Sequence, residues 1–292
     1  MANLKEIRTR ITSVNSTMQI TSAMKMVSAA KLKRAQNAVV QMRPYAEKMH
    51  DILSNVSSSI DTADNDFIKP REEKKILLVA LSSNRGLCGG FNNNVIKKAK
   101  KIVEETNSST VEILPVGKKV YDAFKKSDHL ANQEELPNNL ELLWDDLSFD
   151  KTSPFAENLM ARFLDGSYDR IVLIYNSFKN AGVQILKTEQ YLPIVNDDSD
   201  SVKDSAVDYI FEPSKEEIIT NLIPNSLKTT LYKAMLDSNA SEHGARMTAM
   251  HKATDNASEM IKELKLTYNK ARQASITNEI LEIVGGAEAL NN

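Results

Sequence analysis

The segment 82–90 is the part of the sequence best placed to do chemistry. It reads SSNRGLCGG, between an apolar run and a helical pattern, and phosphate groups bind at helix N-termini of this kind. Neither the G-x-G-x-x-G spacing nor a P-loop is present, because the only Gly-Lys pair, Gly117-Lys118, is followed by Lys119 instead of Ser or Thr. We therefore expect a tight strand-to-helix turn that needs glycine, with no bound nucleotide or other cofactor.

The other reactive side chains do not form a catalytic or metal-binding pattern. Cys88 is the only cysteine, and Arg85 nearby would lower the pKa of its thiol. No histidine stands close in sequence, so a small buried residue under the turn is the preferred interpretation. The histidines lack the spacing of a metal site; they are His50, His129, His243 and His251. We expect no catalytic residue and no metal ligand in this chain.

Two long helices are predicted at the ends of the chain, where glycine and proline are nearly absent. The N-terminal apolar positions have a three-and-four spacing typical of a coiled-coil seam; they are Leu4, Ile7, Ile11, Val14 and Met18. This seam then loosens into Ala23, Met26, Val27 and Ala30. The C-terminal seam consists of Ala249, Ala253, Ala257, Met260, Leu264, Ala271 and Ala274. An antiparallel hairpin of the two helices is favoured over two ordinary amphipathic helices packed on the middle domain.

The middle of the chain alternates predicted strands and helices, as in an α/β domain with a mostly parallel, Rossmann-like sheet. The predicted strands are 76–81, 111–116, 170–175 and 183–194. The predicted helices are 95–105, 118–126 and 154–164. The resulting domain map has an N-terminal helix at 1–57, an α/β domain at 70–224 and a C-terminal helix at 225–292.

Composition and charge exclude several classes of protein. The chain has 9 glycines and 8 prolines in 292 residues, which argues against an all-β fold. The net charge of −2 excludes a globally basic nucleic-acid binder, and no apolar window approaches the roughly 20 residues of a membrane span. A single cysteine allows no internal disulfide. The sequence indicates a soluble, helix-rich protein of a reducing compartment.

Several motifs, in order along the whole chain, resemble those of the gamma subunit of F-type ATP synthases. The N-terminal motif is ITSAMKMVSAAKL at 20–32, and the turn motif is RGLCGGFN at 85–92. The C-terminal motifs are ARMTAM at 245–250, ATDNA at 253–257, YNKARQASITNEI at 268–280 and EIVGGA at 282–287. The resemblance implies an antiparallel coiled coil that rotates inside a ring of alpha and beta subunits, which carry the catalytic sites, and thereby couples ion flow to ATP synthesis.

The resemblance also implies where partner subunits make contact. Met24, Lys25 and Arg246 correspond to positions near the acidic lever loop of beta. The positions that meet the beta catch region are Arg272, Gln273, Thr277 and Glu279. Tyr209, Phe211 and Glu212 correspond to the foot that meets the epsilon subunit and the membrane c-ring. The family members associate with the membrane only through the complex, and the absence of a transit segment favours a peripheral position on the cytoplasmic face of a bacterial inner membrane.

The end of the C-terminal helix is expected to have no partner within the chain. If Met24 lies beside Arg246, as the family implies, antiparallel partners have position numbers that add up to about 270, and the last ~23 residues extend ~35 Å alone. The apolar positions of this end are Ile276, Ile280, Leu281, Ile283, Val284, Ala287, Ala289 and Leu290. A helix that is apolar on most sides must be buried, so this end requires a sleeve of other protein.

Two other classes of function stay open at this point. An α/β enzyme with helical arms would need a polar pocket beside the 82–90 turn. A nucleic-acid binder would use the first 60 residues, which carry nine Lys and Arg against three Asp and Glu. That segment has a single aromatic residue, Tyr45, which counts against stacking on single-stranded nucleic acid.

Overall fold

A computed structural model describes residues 4–57, 66–69, 71–106, 110–132, 136–137, 139–194 and 215–291 of the chain. Over these residues, a long helix at each end flanks a four-stranded sheet with shorter helices. The chain divides into two compact units, one made of residues 1–28 and 247–292 and the other of residues 29–246. No helix among the described residues is both long enough and apolar enough to cross a membrane.

Helix α1 spans Leu4–Ser57, and helix α5 spans Lys215–Asn291. The prediction that the C-terminal helix starts at residue 225 is wrong, because α5 continues through Pro224. A proline inside a helix removes one backbone hydrogen bond and costs ~3 kcal/mol. Ile223 and Leu227 on either side are 1% and 4% exposed, so burial in the core stabilises the helix across the proline.

In the first unit, α1 and α5 pair in antiparallel orientation, as predicted. The hydroxyl oxygens of Thr21 and Thr254 lie 2.9 Å apart, and Lys25 Nζ lies 3.5 Å from His251 Nδ1. The position numbers of these partners add up to about 275, whereas the predicted sum was about 270. The predicted register is therefore wrong by about five positions, more than one helical turn of 3.6 residues.

The buried seam of α1 in this unit also differs from the prediction. It does not loosen after Met18 but continues at the same three-and-four spacing through Thr21 and Ser28, which are 9% and 3% exposed. Met26 and Val27, which we expected in the seam, are 65% and 59% exposed. Small hydroxyl side chains occupy the seam here, so a search for apolar residues alone misses it.

The second unit is built on one mixed sheet. Its strands are β1 at Lys75–Leu81, β2 at Thr110–Val116, β3 at Arg170–Asn180 and β4 at Val183–Leu192. Their order across the sheet is β2-β1-β3-β4. β1 pairs in parallel with β2 and β3, whereas β3 and β4 form an antiparallel hairpin. The prediction of a mostly parallel α/β sheet is confirmed.

The shorter helices of this unit cover both faces of the sheet. They are α2 at Phe91–Glu105, α3 at Lys118–Phe124, a 3-10 helix at Leu140–Trp144 and α4 at Phe149–Leu164. α2 and α3 pack on one face, and α4 packs with the 222–235 part of α5 on the other. β1 therefore has apolar neighbours on both sides, which explains its uninterrupted apolar sequence.

Gly117, between β2 and α3, is required by a close approach of two backbone segments. Its φ of +122° is one that L side chains rarely adopt, and a Cβ atom there would lie 2.1 Å from the carbonyl oxygen of Ser82. Glycine avoids both the strain and the overlap. This close approach places the 82–90 turn next to the start of α3.

We predict that Gly117→Ala destabilises the second unit, which contains the sheet and which we also call the sheet domain, by more than ~1 kcal/mol. The reason is that the backbone must move to admit the methyl group. Gly86→Ala is the matched control, since its Cβ would meet only Lys119 Cε, at 3.9 Å. Urea unfolding of the full-length chain, followed by the fluorescence of Trp144, measures both. Equal urea midpoints of unfolding for the two variants would contradict the conclusion that the close backbone approach requires glycine at position 117.

Candidate functional site

The C-terminal end of α5 exposes several large apolar residues close together. From residue 276 to residue 287, every described side chain is exposed. The large apolar residues among them are Ile276, Ile280, Leu281, Ile283 and Val284. Ile280 is 55% exposed and Ile283 is 72% exposed. The half-buried seam of α5 ends at Ser275, so the exposed end starts about eight residues later than the predicted residue 268.

The polar candidates on α5 lie immediately before and within this apolar end. Arg272, Gln273, Thr277 and Glu279 are all exposed. Thr277 donates its hydroxyl to the Gln273 carbonyl at 3.0 Å, and the Ser275 hydroxyl lies 3.5 Å from a carboxylate oxygen of Glu279. These contacts stay within one turn of the helix. Arg272 and Glu279 form no ion pair within the described part of the chain, so their charges are available to a partner.

The candidates on α1 are half-buried. Met24 and Lys25 both lie partly covered on the helix. The amine of Lys25 approaches His251 Nδ1, which also lies 3.3 Å from the carboxylate of Asp255. Lys25 is thus directed towards α5, with part of its side chain accessible to solvent.

In the second unit, Arg246 fastens the 82–90 turn to α5. Its Nη2 donates to the carbonyl oxygens of Arg85 and Gly86 at 3.1 and 3.3 Å, and its Nη1 donates to Glu242 at 2.6 Å. Arg246 is 8% exposed. The guanidinium group therefore holds the turn by charge-assisted hydrogen bonds and offers little free surface in this chain.

The turn itself is filled by its own side chains. Asn92 accepts a hydrogen bond from the Ser83 backbone N–H at 3.0 Å and donates to the Ser83 hydroxyl at 2.8 Å. Cys88 is 2% exposed, and burial raises the pKa of its thiol. A buried structural cysteine is confirmed, and a reactive thiolate activated by Arg85 is contradicted. Gly89 has a φ of +60°, which confirms that the turn needs glycine.

The comparisons with known proteins agree with this arrangement over nearly the whole chain. A model of the ATP synthase family matches residues 3–290. The ATP synthase gamma chain of Flavobacterium johnsoniae is 59% identical over 292 residues, covering 100% of both chains. That of Flavobacterium psychrophilum is 60% identical and covers 99% of each. The chain belongs to the family of ATP synthase gamma chains. Its relatives are named as one subunit of a larger enzyme.

Solved structures of ATP synthases share the fold. A chain of the central stalk and c-ring of Tetrahymena thermophila mitochondrial ATP synthase is 25% identical, covers 80% of this chain and 99% of its own length, and has a TM-score of 0.57. A rotor chain of Euglena gracilis mitochondrial ATP synthase is 20% identical, with coverages of 94% and 98% and a TM-score of 0.63. At this identity, the Euglena match concerns the fold alone.

Two features of this gamma chain were missed in the sequence. Glu242 stands four residues before Arg246, and this spacing, which places both side chains on one helix face, is the signal in the sequence that indicates the pair. Leu87 has a φ of +63° and is 64% exposed, a rare backbone conformation for a large side chain. Neither the burial of a side chain nor its backbone φ can be seen in the sequence.

The residues predicted to form the foot, Tyr209, Phe211 and Glu212, lie outside the described residues.

The pair of Glu242 and Arg246 lies beside a partly buried histidine, His243. Burial raises the pKa of the Glu242 carboxyl, and the charge of Arg246 opposes this shift. Burial lowers the pKa of His243 to about 4, and repulsion from Arg246 and then Lys31 adds to the shift. His243 is therefore neutral at physiological pH, and protonating it in the folded chain is unfavourable.

We predict that His243 makes stability fall as the pH decreases. Between pH 6.5, its ordinary pKa, and about 4, the unfolded chain binds a proton that the folded chain does not, so the free energy of unfolding falls by up to ~3 kcal/mol through this window. His243→Gln should remove this part of the pH dependence, whereas His251→Gln, at an exposed position of α5, should retain it. Urea unfolding at several pH values measures both. Parallel pH profiles of the wild type and His243→Gln would refute the prediction.

Proposed function

We propose that this chain is the rotating central-stalk subunit of a bacterial F-type ATP synthase. It couples ion flow through the membrane sector to ATP synthesis or hydrolysis at catalytic sites carried by beta subunits. The single observation that carries the proposal is the end of α5, which exposes five large apolar side chains without a partner in the described chain. Membership of the gamma-chain family supports the same function.

The energetics of the exposed end require another protein around it. Fully burying one Ile, Leu or Val side chain contributes about 1.5–3 kcal/mol. Because the five side chains are 48–72% exposed, their complete burial represents roughly 6 kcal/mol that the isolated chain does not gain. We propose that the ring of alpha and beta subunits encloses this end. Because apolar contacts are non-directional, the helix can turn in the sleeve without breaking a set of hydrogen bonds at each step.

We further propose how the polar candidates act. Met24 and Lys25 contact the acidic lever loop of beta. Arg246, which anchors the 82–90 turn, is a further contact with the beta subunit. Arg272, Gln273, Thr277 and Glu279 contact the beta catch region; this is supported by their exposure next to the apolar end. An exposed ion pair contributes only ~0–1 kcal/mol, so these residues regulate rotation more than they hold the complex together.

The opposite end of the complex and its cellular position are also part of the proposal. The epsilon subunit and the c-ring bind at the foot that includes Tyr209, Phe211 and Glu212. The chain then lies on the cytoplasmic face of the inner membrane as a peripheral protein. Purification of the chain in one complex with alpha, beta, epsilon and c subunits from the source bacterium tests this assignment, and isolation of a complex without alpha and beta would refute it.

We predict that two charges at the end of α5 reduce assembly and activity more than removal of that end does. Ile280→Asp with Ile283→Asp inserts unpaired carboxylates into an apolar environment, which costs several kcal/mol for each group that stays ionised. A chain that ends at Glu279 loses the contact area but adds no buried charge. ATPase activity of membranes and retention of the chain after a salt wash should therefore decrease in the order wild type, truncation, double Asp variant.

Two control variants separate polarity from shape and from position. Ile280→Leu with Ile283→Leu conserves volume and should behave as the wild type. Leu142→Asp places the same charge at an apolar residue that is 61% exposed in the sheet domain and should leave retention unchanged. A double Asp variant that assembles and couples like the wild type would show that apolar protein does not enclose this end.

A further inference from the structure

A buried carboxylate joins α5 to the sheet in the second unit. Asp237 is 3% exposed, and its Oδ2 accepts a hydrogen bond from the Ser177 hydroxyl near the end of β3 at 3.0 Å. A buried carboxylate must be paired to offset the loss of its hydration. The position of this group therefore depends on the partners that surround it.

The second partner of Asp237 comes from α1. Arg43 Nη2 lies 3.5 Å from Asp237 Oδ1 and donates to the Phe178 carbonyl oxygen at 2.9 Å. One guanidinium group thus contacts both the backbone of β3 and a side chain of α5. Helix α1, strand β3 and helix α5, which are far apart in sequence, meet at this polar cluster. We call the cluster the Asp237 node; its residues are Arg43, Ser177, Phe178 and Asp237.

Two further attachments follow along the same stretch of α5. A Cβ at Gly244 would lie 3.2 Å from the Ala181 carbonyl oxygen, so the β3–β4 turn packs closely on the helix backbone there. Arg246 then holds the carbonyls of the 82–90 turn, as described above. From Asp237 to Arg246 the helix rises ~14 Å, and over this length it is fixed to the C-terminal edge of the sheet at three places.

Apolar side chains also pack at this junction. Among the described residues, the cluster where α1 meets α5 has Val39, Leu236 and Ala240 buried, and it is surrounded by partly buried apolar residues: Ala35, Ala38, Met42, Leu147, Phe178 and Tyr232. Such contacts tolerate sliding because they are non-directional, whereas charge-assisted hydrogen bonds require defined distances and angles. The Asp237 node therefore constrains the angle between the helices and the sheet more strongly than the cluster does.

We propose that Asp237 is a positioning residue that makes the junction of α1, α5 and the sheet torsionally stiff, so that rotation of the sheet domain is transmitted to the two helices. This inference rests on the proposed function, because torsional stiffness matters only in a rotating subunit. Arg43 and Ser177 act through Asp237, and none of the three contacts a reacting group.

Angular fluctuation in the assembled complex tests the proposal. The complex with alpha and beta subunits is immobilised through the ring, stalled without nucleotide, and observed through a bead on Lys97→Cys, an exposed position of α2. In Asp237→Asn the side chain keeps its shape but loses its charge. If the three attachments act equally and independently, the angular stiffness of the junction falls by about one third. Because the compliance of the helices adds to that of the junction, the variance of the bead angle should rise by up to about 1.5-fold. ATP hydrolysis should stay at the wild-type rate, while ATP-driven ion pumping falls.

Glu157→Gln is the matched control. It removes another ion pair of α5, that of Glu157 with Lys228 at 2.6 Å, but the Glu157 side chain is 57% exposed. Its bead variance should equal that of the wild type. Ser177→Ala, which removes one hydroxyl, provides a second test if Asp237→Asn fails to assemble, and its variance should also rise.

The outcomes separate the inference from the proposed function. Wild-type variance in Asp237→Asn or, where that variant does not assemble, in Ser177→Ala overturns the inference. An equal rise in Glu157→Gln also overturns it, because any ion pair of α5 would then have the same effect. A wild-type complex whose bead does not rotate when ATP is added refutes the proposed function itself.

Discussion

The packing of α1 against α5 in antiparallel orientation is the interaction on which the first unit depends. In this unit α1 contributes positions at three-and-four spacing up to Ser28, and α5 contributes half-buried or buried positions as far as Ser275. Because each position on one helix has a fixed partner on the other, the register decides where pairing ends. It leaves residues 276–291, a helix of ~24 Å, without a partner in α1.

The seam combines apolar and hydroxyl side chains, and this composition has a physical consequence. Thr21 and Ser28 allow the helix backbones to approach closely, and the hydroxyl pair of Thr21 and Thr254 stays satisfied within the seam. The Thr21 and Thr254 hydroxyls also lie 3.0 and 2.8 Å from the carbonyl oxygens of Met18 and Met250 in their own helices, so a displaced register would lose only the bond between the helices, at about 1 kcal/mol. The hydroxyl pair therefore adds a modest preference for this register, while Ile7, Ile261 and other apolar residues supply most of the burial.

The second unit uses charge for a different purpose. Arg246 and Asp237 are both buried on α5, and each holds a segment that emerges at the C-terminal edge of the sheet. In many α/β proteins this edge binds a ligand. Here the N–H of Ser83 and the side chain of Asn92 are occupied within the turn, so the edge serves as an attachment surface for the helices. This agrees with a subunit whose relatives are named as part of a larger enzyme.

The sequence predicted the class of each element but not the contacts between distant segments. The apolar run of β1 and the three-and-four spacing of α1 predict a buried strand and a long paired helix because both patterns are local. The observed register of the two helices differs from the predicted one because the prediction assumed that Met24 lies beside Arg246. In the structure, Arg246 binds Arg85, Gly86 and Glu242. The start of α5 differed because burial of Ile223 and Leu227 outweighs the local effect of Pro224. The partner contacts proposed for Arg272, Gln273, Thr277 and Glu279 stay predictions.

A disulfide between α1 and α5 tests most directly whether the two helices form one rotating body with this register. Thr21→Cys with Thr254→Cys replaces hydroxyl groups whose oxygens lie 2.9 Å apart, within reach of a disulfide. We predict that oxidation of the assembled complex forms this bond and leaves ATP hydrolysis unchanged, since both helices turn together. Thr21→Cys with Ala249→Cys, which follows the rejected register, should form no bond. A bond only in the second pair would contradict the register, and a bond in the first pair that stops hydrolysis until it is reduced would contradict rotation of the two helices as one body.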